Sequence, residues 1–141
     1  MVDKNKPAYL DKISADTFSR IKNGIVTALV ADKRYKQSDF TAKKLAEMLG
    51  TNTRYVSIVI RVSYGVNYAS FVNRLRVEEA MSLLADRRYC RLSIEDLSDM
   101  VGFSTRQSFY RSFCMIAGIP PREYQEKYLP LSNNVTISNH E

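Results

Sequence analysis

Apolar residues recur at helical spacing along most of the chain, starting near the N-terminus. Ser14 is a suitable N-cap, and Asp16 suits the positive end of a helix dipole. The apolar positions that follow lie one to four residues apart and are Phe18, Ile21, Ile25, Ala28 and Leu29. This periodicity predicts a helix that begins at Ser14 and fades near residues 32–36.

Two later segments, Thr41–Phe71 and Ser93–Tyr124, resemble each other. Aligned at an offset of 52 residues, they match at Leu45/Leu97, Met48/Met100, Gly50/Gly102, Thr53/Thr105 and Arg54/Arg106. One inserted residue changes the offset to 53, at which Gly65 matches Gly118. An internal repeat of this kind predicts two copies of one structural unit.

Each copy has the plan of a helix-turn-helix. A hydroxyl N-cap opens a short helix, a Gly ends it, and a second helix begins after a polar turn. The residues in these three roles are Thr41, Gly50 and Asn52 in the first copy and Ser93, Gly102 and Ser104 in the second. The alternative is a helical bundle with accidental self-similarity, which a matched spacing in two copies disfavours.

A long central helix is predicted between the copies, at about residues 67–86. Its apolar side comprises Phe71, Val72, Leu75, Ala80, Met81, Leu83 and Leu84. Some 20 residues give a rod of about 30 Å, close to the roughly 34 Å of one turn of B-DNA. A final helix is expected to begin at Pro120 and Pro121 and to end near Tyr128.

The predicted fold is therefore all-α, with two helix-turn-helix subdomains joined by a long central helix and an extra N-terminal helix. Residues 1–37 are predicted to form an N-terminal tail and helix, and residues 38–66 the first subdomain. Residues 67–90 are the predicted linker helix and connection, residues 91–129 the second subdomain and residues 130–141 a disordered tail. Five Gly and four Pro in 141 residues are too few for a fold of many strands.

Charge and composition narrow the function. The 21 basic residues outnumber the 15 acidic ones, and a net charge of +6 favours nucleic acid as the partner. Cys90, Cys114 and a single His do not make a zinc site, so reduced thiols and no cofactor are expected. The sequence contains no nucleophile with a nearby base, no paired His and no phosphate-binding Gly loop, so we do not expect an enzyme. No signal peptide or membrane span is evident, which predicts a cytoplasmic protein without membrane contact.

The second helix of each copy contains Arg and no acidic residue, as a surface that enters a DNA groove requires. Val56, Val59 and Ile60 in the first copy, and Phe109 and Phe113 in the second, are expected to be buried. The candidates for base contact on the outward faces are Arg54, Ser57, Ile58, Arg106, Gln107, Tyr110 and Arg111. The candidates for phosphate contact are Asn52, Thr53, Arg61, Arg87, Arg88, Ser104 and Thr105. Three acidic residues of the preceding helix, Glu95, Asp96 and Asp99, are expected to point away from the duplex.

The second copy resembles the signature of the AraC/XylS family of bacterial transcription regulators. The residues that carry the resemblance are Ile94, Leu97, Gly102, Phe103, Ser104, Phe109, Arg111, Phe113, Gly118, Pro120 and Tyr124. The first copy matches through Leu45, Ala46, Gly50 and Gly65, and the linker through Arg76, Ala80, Leu83 and Leu84. The sequence departs from the family at Cys114, where Lys is usual, and at Ile58, where a polar or basic residue is common.

The resemblance implies a seven-helix domain that binds double-stranded DNA, with the seven base-contact candidates facing the bases. It also implies an activator. RNA polymerase is a further candidate partner. Two units in one chain can reach two grooves, so a monomer on DNA is expected. The alternative function is a helical module that binds a transcription partner protein through exposed apolar residues, for which Ile58 and Tyr110 are the candidates.

Overall fold

The computed structural model describes residues 13–129, and this range is helical without a strand. The α-helices are α1 (Ala15–Ile25), α2 (Ala42–Met48), α3 (Thr53–Tyr64), α4 (Tyr68–Leu84), α5 (Ile94–Val101), α6 (Arg106–Ala117) and α7 (Pro121–Tyr128). A π-helical segment, Val26–Ala31, continues α1, and 3-10 turns lie at Arg34–Lys36 and Arg87–Tyr89. The prediction of an all-α fold with two helix-turn-helix units is confirmed.

Residues 1–12 and the predicted disordered tail at 130–141 lie outside the described residues. Across 13–129, no helix combines the length and the apolar character needed to cross a membrane. Both cysteines are free thiols, with Cys90 exposed and Cys114 half-buried.

Short polar side chains cap the helices, as the sequence pattern predicts. Each cap accepts a hydrogen bond from the backbone N–H three residues ahead, which satisfies one of the free donors of the first turn. The caps are Ser14 for α1, Thr41 for α2, Asn52 for α3, Ser93 for α5 and Thr105 for α6. The cap of α6 was expected at Ser104, one residue earlier. The inserted residue of the second copy therefore lies in the turn before α6.

The described chain divides into two compact units. The first comprises residues 13–34 and 39–72, and the second comprises residues 35–38 and 73–129. The division falls inside α4, whose 17 residues give it a length of about 26 Å, somewhat shorter than predicted. Phe71 and Val72 of this helix belong to the first unit, and Val77, Ala80 and Leu84 belong to the second.

The first unit is built on α1, α2 and α3. Its fully buried side chains are Ile21, Ile25, Leu29, Leu45, Val56, Val59 and Ile60. The α1 residue Arg20 donates from Nη1 to the carbonyl of Leu49 at 2.8 Å, which satisfies an acceptor at the end of α2. The Leu49 side chain, just after α2, packs against Gly24 of α1, and a Cβ at Gly24 would lie 2.5 Å from Leu49 Cδ2, so that this side chain would have to move. The N-terminal helix is thus an integral part of this unit.

The second unit has an aromatic core. Its buried residues are Val77, Ala80, Leu83, Leu84, Ile94, Leu97, Val101, Phe103, Phe109 and Phe113. The ring of Phe109 lies 5.3 Å from that of Phe103 and 5.6 Å from that of Phe113, between centroids. Tyr124 of α7 packs edge-on against Phe113 at 5.5 Å. The predicted buried stripe of Phe109 and Phe113 is confirmed.

A short segment that precedes α2 in sequence, residues 35–38, belongs to the second unit. Arg76 of α4 donates from Nε to the carbonyl of Tyr35 at 2.7 Å and from Nη2 to that of Gln37 at 3.1 Å. The buried Tyr35 hydroxyl hydrogen-bonds to Glu79 at 3.4 Å. Burial and the negative charge of Glu79 raise the pKa of Tyr35 to about 12. No local pattern in the sequence predicted this attachment.

Gly102 is required where this segment crosses the turn after α5. Its φ is +107°, and a Cβ there would lie 2.2 Å from the backbone oxygen of Tyr35. We expect Gly102→Ala to lower the free energy of unfolding by about 2–5 kcal/mol, since backbone strain and a steric clash add. Gly118→Ala is the matched control, because Gly118 has φ +84° and open space around its Cβ position. Its expected loss is about 1–2 kcal/mol, from backbone strain alone. Equal losses in urea unfolding would contradict the clash.

Candidate nucleic-acid interface

The outward face of α6 presents long polar side chains. Arg106, Gln107 and Arg111 are exposed and Tyr110 is half-buried, while Phe109 and Phe113 on the other side are fully buried. These polar residues lie at positions i, i+1, i+4 and i+5, which share one face of a helix. The structure therefore brings all four predicted base-contact residues of the second copy together on one surface, which we call the α6 face.

Arg106 is held in place at the start of this face. Its Nη1 lies 3.1 Å from Oε1 of Glu95, and its guanidinium carbon lies 5.1 Å from the ring centroid of Tyr110. The Tyr110 hydroxyl accepts a long bond of 3.5 Å from Nη2. The hydrogen bond to Tyr110 and the nearby Glu95 carboxylate raise the pKa of Arg106 above its usual value.

The three acidic residues of α5, Glu95, Asp96 and Asp99, have different surroundings. The expectation that Glu95 points away from the predicted binding surface is wrong, because its carboxylate crosses the turn to reach α6. Glu95, Ser98, Asp99 and Arg106 line a cleft of about 250 Å³. Asp96 is exposed and forms no ion pair with any residue in 13–129. Sequence position alone did not separate these roles, since all three carboxylates lie in one short helix.

The corresponding surface of α3, here called the α3 face, is smaller than predicted. Arg54, Ser57 and Arg61 are exposed and lie at positions i, i+3 and i+7. Ile58 is only 9% exposed, so its assignment as an outward base contact is wrong. Because α3 packs against both α1 and α2, its buried surface is wider than the stripe that periodicity alone indicates.

Aligning the helix caps of α3 and α6 pairs different residues of the two faces from those that the sequence repeat pairs. The cap Asn52 follows Gly50 by two positions, and the cap Thr105 follows Gly102 by three. Counted from the caps, Arg106 corresponds to Thr53, and Arg54 corresponds to Gln107. The match of Arg54 with Arg106 in the sequence repeat is therefore not a structural equivalence.

The N-terminal turns of α3 and α6 are exposed but partly occupied by their own caps. Asn52 Oδ1 accepts from the N–H of Tyr55 at 2.9 Å. Thr105 Oγ1 accepts from the N–H of Ser108 at 3.1 Å and donates to Ser108 Oγ at 2.8 Å. Thr53 and Ser104 are exposed beside them. The backbone amides at these helix starts, with the two exposed hydroxyls, are the groups best placed for phosphate.

Arg87 and Arg88, in the connection before α5, differ because only Arg88 forms an ion pair within the described residues. Arg88 binds Asp86 through Nη2 to Oδ2 at 2.7 Å and through Nε to Oδ1 at 3.1 Å. Arg88 lowers the pKa of Asp86 through these bonds. Arg87 is exposed and forms no ion pair with the residues described here. Arg87 is therefore the stronger of the two phosphate candidates.

A family of helix-turn-helix domains matches residues 45–127, which is more than half of the chain. The match begins inside α2 and ends inside α7, so it covers the second helix pair in full and the first from the middle of α2. The chain belongs to the AraC/XylS family of transcription regulators.

Among the relatives of this AraC/XylS-family chain are two proteins from Bacillus subtilis (strain 168). The identity is 25% over 117 residues to the uncharacterized HTH-type transcriptional regulator YtdP, covering 83% of this chain and 15% of YtdP. The identity is 33% over 85 residues to the uncharacterized HTH-type transcriptional regulator YobQ, covering 60% of this chain and 34% of YobQ. The chain thus spans a minor part of the length of these curated relatives.

Solved structures share the fold of this AraC/XylS-family chain. The C-terminal domain of AraT, a response regulator from Geobacillus stearothermophilus, has a TM-score of 0.67 at 24% identity, covering 79% of this chain and 87% of that domain. An AraC-type transcriptional regulator from Chromobacterium violaceum has a TM-score of 0.64 at 18% identity, with coverages of 82% and 96%. At these identities the likeness establishes the fold and leaves the roles of individual residues to be argued from the chain itself.

Proposed function

We propose that this AraC/XylS-family domain binds double-stranded DNA in a sequence-specific way, with α3 and α6 entering successive segments of the major groove. The observation that carries the proposal is the α6 face, where exposed Arg and Gln donors stand opposite a buried Phe core. Arg can bond bidentately to guanine and Gln to adenine in the major groove. The α6 helix itself has no carboxylate to repel phosphate.

The α3 face has a smaller part in the proposed recognition. We assign base contact there to Arg54 and Ser57 and phosphate contact to Arg61, and Ile58 is removed because it is buried. In the second unit we assign base contact to Arg106, Gln107, Tyr110 and Arg111. Phosphate contacts are assigned to the helix starts at Asn52, Thr53, Ser104 and Thr105, and to Arg87 and Arg88. The α6 face is therefore expected to supply most of the sequence discrimination.

The proposed regulatory role is activation, on the strength of the family resemblance, and RNA polymerase is the proposed protein partner. A monomer carries both helix-turn-helix units, so one chain is sufficient to present two recognition helices. The alternative, a module that binds protein through exposed apolar residues of α3 and α6, loses the candidate Ile58, which is buried, although Val62 of α3 and Met115 and Ile116 of α6 are exposed. The other candidate, Tyr110, is half-buried and stacks with Arg106.

Selection from a random duplex library, followed by footprinting, tests the proposal. We expect two short sequence motifs whose centres are separated by about one helical turn, or roughly 10 base pairs. Each phosphate that the protein neutralises contributes about −0.9 to the slope of log K against log salt, so the three arginines assigned to phosphate, Arg61, Arg87 and Arg88, predict a slope of about −3. A single short motif would exclude α3 from base recognition. No enrichment, or binding that survives high salt, would contradict the proposal and favour the protein-binding alternative.

A further inference from the structure

At the start of α6, Arg106 contacts both Glu95 and Tyr110, and these three residues form a cluster. Glu95 lies in the first turn of α5, Arg106 is the first residue of α6, and Tyr110 follows one turn later. The guanidinium lies between the Glu95 carboxylate at 3.1 Å and the Tyr110 ring at 5.1 Å. Because Arg106 and Glu95 are both largely exposed, this cluster lies on the surface and borders the α6 face.

The fold does not require this cluster. In the first unit the position that corresponds to Glu95 is Lys43, and the position that corresponds to Arg106 is Thr53. Arg54 and Arg111, the other arginines assigned to base contact, form no ion pair within residues 13–129. An exposed ion pair of this kind contributes little to stability, because solvent screens it and ordering two long side chains costs entropy. A role in stability is therefore a poor explanation for Glu95.

A carboxylate beside an arginine of a DNA-binding surface has two opposite effects on binding. It cancels much of the positive charge that would attract phosphate on any sequence. It also fixes the guanidinium in one orientation, which removes part of the entropy lost when that side chain forms bonds of defined geometry. The first effect weakens non-specific complexes, in which Arg106 would contact a phosphate, and the second strengthens binding to a matching base. Together they increase the ratio of specific to non-specific affinity.

We propose that Glu95 is a positioning residue that sets the sequence discrimination of the α6 face by orienting Arg106 and offsetting its charge. This inference rests on the proposed DNA-binding function. Glu95 itself accepts hydrogen bonds only, and the proposal assigns it no direct contact with a base. The guanidinium keeps further N–H donors in addition to those facing Glu95 and Tyr110, and these are available to the acceptors of a guanine.

Glu95→Gln tests the proposal, because it removes the charge with almost no change in size. A freed Arg106 can neutralise one additional phosphate, which at 0.15 M salt corresponds to about fivefold tighter binding to random DNA and a salt slope steeper by about 0.9. Affinity for the selected sequence should stay constant or fall, so the specificity ratio should drop at least about fivefold. Glu95→Asp, which keeps the charge on a shorter side chain, should restore the ratio in part.

Asp96→Asn is the matched control, since it removes one negative charge from the same turn of α5 without touching Arg106. Its specificity ratio should match that of the wild type. In an Arg106→Ala background, Glu95→Gln should no longer change the ratio, because the residue through which it acts is absent. Thermal unfolding of each variant confirms that the fold is intact.

The outcomes separate this proposal from the function on which it rests. If the wild-type protein has no sequence preference, the proposed function fails, and this inference fails with it. If the wild type is specific and Glu95→Gln leaves the ratio and the slope unchanged, only the role of Glu95 is overturned. Equal changes in Glu95→Gln and Asp96→Asn would reduce the effect to general electrostatics and would likewise overturn it.

Discussion

Replacing Arg111 with alanine is expected to lower affinity for the selected DNA sequence by about 10- to 100-fold, because a bidentate contact with a base is lost. Arg111 is exposed, lies one turn from Gln107 on the α6 face and forms no ion pair with the rest of the described chain. Its guanidinium is therefore available to the duplex without first breaking a bond. Affinity for a scrambled duplex should change by about fivefold at most, the contribution of one phosphate. Fluorescence anisotropy on both duplexes at one salt concentration measures the two effects.

Arg87→Ala is the control for this prediction. Arg87 is equally basic and exposed but lies in the 3-10 turn before α5 rather than on the α6 face. Its loss should weaken binding to both duplexes by the same factor, because a phosphate contact carries no sequence information. If Arg111→Ala also lost affinity equally on the two duplexes, the assignment of Arg111 to base contact would be wrong.

Replacing Phe109 with alanine is expected to lower the free energy of unfolding of the second unit by about 3–5 kcal/mol. Phe109 is fully buried and its ring contacts those of Phe103, Tyr110 and Phe113. The substitution leaves a cavity at the centre of an aromatic core, and the loss is a large share of the stability typical of a small domain. Binding to every DNA sequence should weaken in parallel as the folded fraction decreases. Urea unfolding followed by circular dichroism gives the magnitude.

Met115→Ala is the matched substitution on the same helix. Met115 is 78% exposed, so its removal should change the free energy of unfolding by no more than about 0.5 kcal/mol. A loss of no more than about 0.5 kcal/mol in Phe109→Ala as well would mean that the core of the second unit does not depend on Phe109.

The two substitutions separate folding from recognition within one helix. Arg111→Ala should leave the unfolding transition unchanged, because the side chain is exposed and unpaired among residues 13–129. Phe109→Ala should leave the preference for one sequence over another unchanged in the fraction that remains folded. This division reflects the arrangement of α6, whose core residues and outward residues lie on opposite sides.

Much of the fold could be predicted because its signals are local. A cap such as Ser14 or Ser93 acts on a backbone N–H three residues away, and the stripe of Phe109 and Phe113 spans a single helical turn. The repeat added a further indication, since the same local signals occur twice in the same order. The cap of α6 was misplaced by one residue because Ser104 and Thr105 are adjacent and both can cap a helix.

The candidate site was predicted less completely. Helical periodicity placed Arg106, Gln107 and Arg111 outward, but it also placed Ile58 outward. Periodicity describes one helix at a time, whereas α3 packs against both α1 and α2, and Ile58 is buried along with Val56, Val59 and Ile60. Periodicity likewise gave no indication that Glu95 of one helix reaches Arg106 of the next.

From the order of residues alone came the all-helical class, the two helix-turn-helix copies, the basic surfaces and the family, since each depends on contacts within a few positions or on composition. Only the tertiary structure decided that α1 completes the first unit, that residues 35–38 attach to Arg76, and that Glu95 contacts Arg106. Arg106 and Glu95 are 11 positions apart in the sequence, and Arg76 and Tyr35 are 41 positions apart. Such pairs form only once packed helices bring them together, and no local pattern encodes which of many compatible partners each side chain will meet.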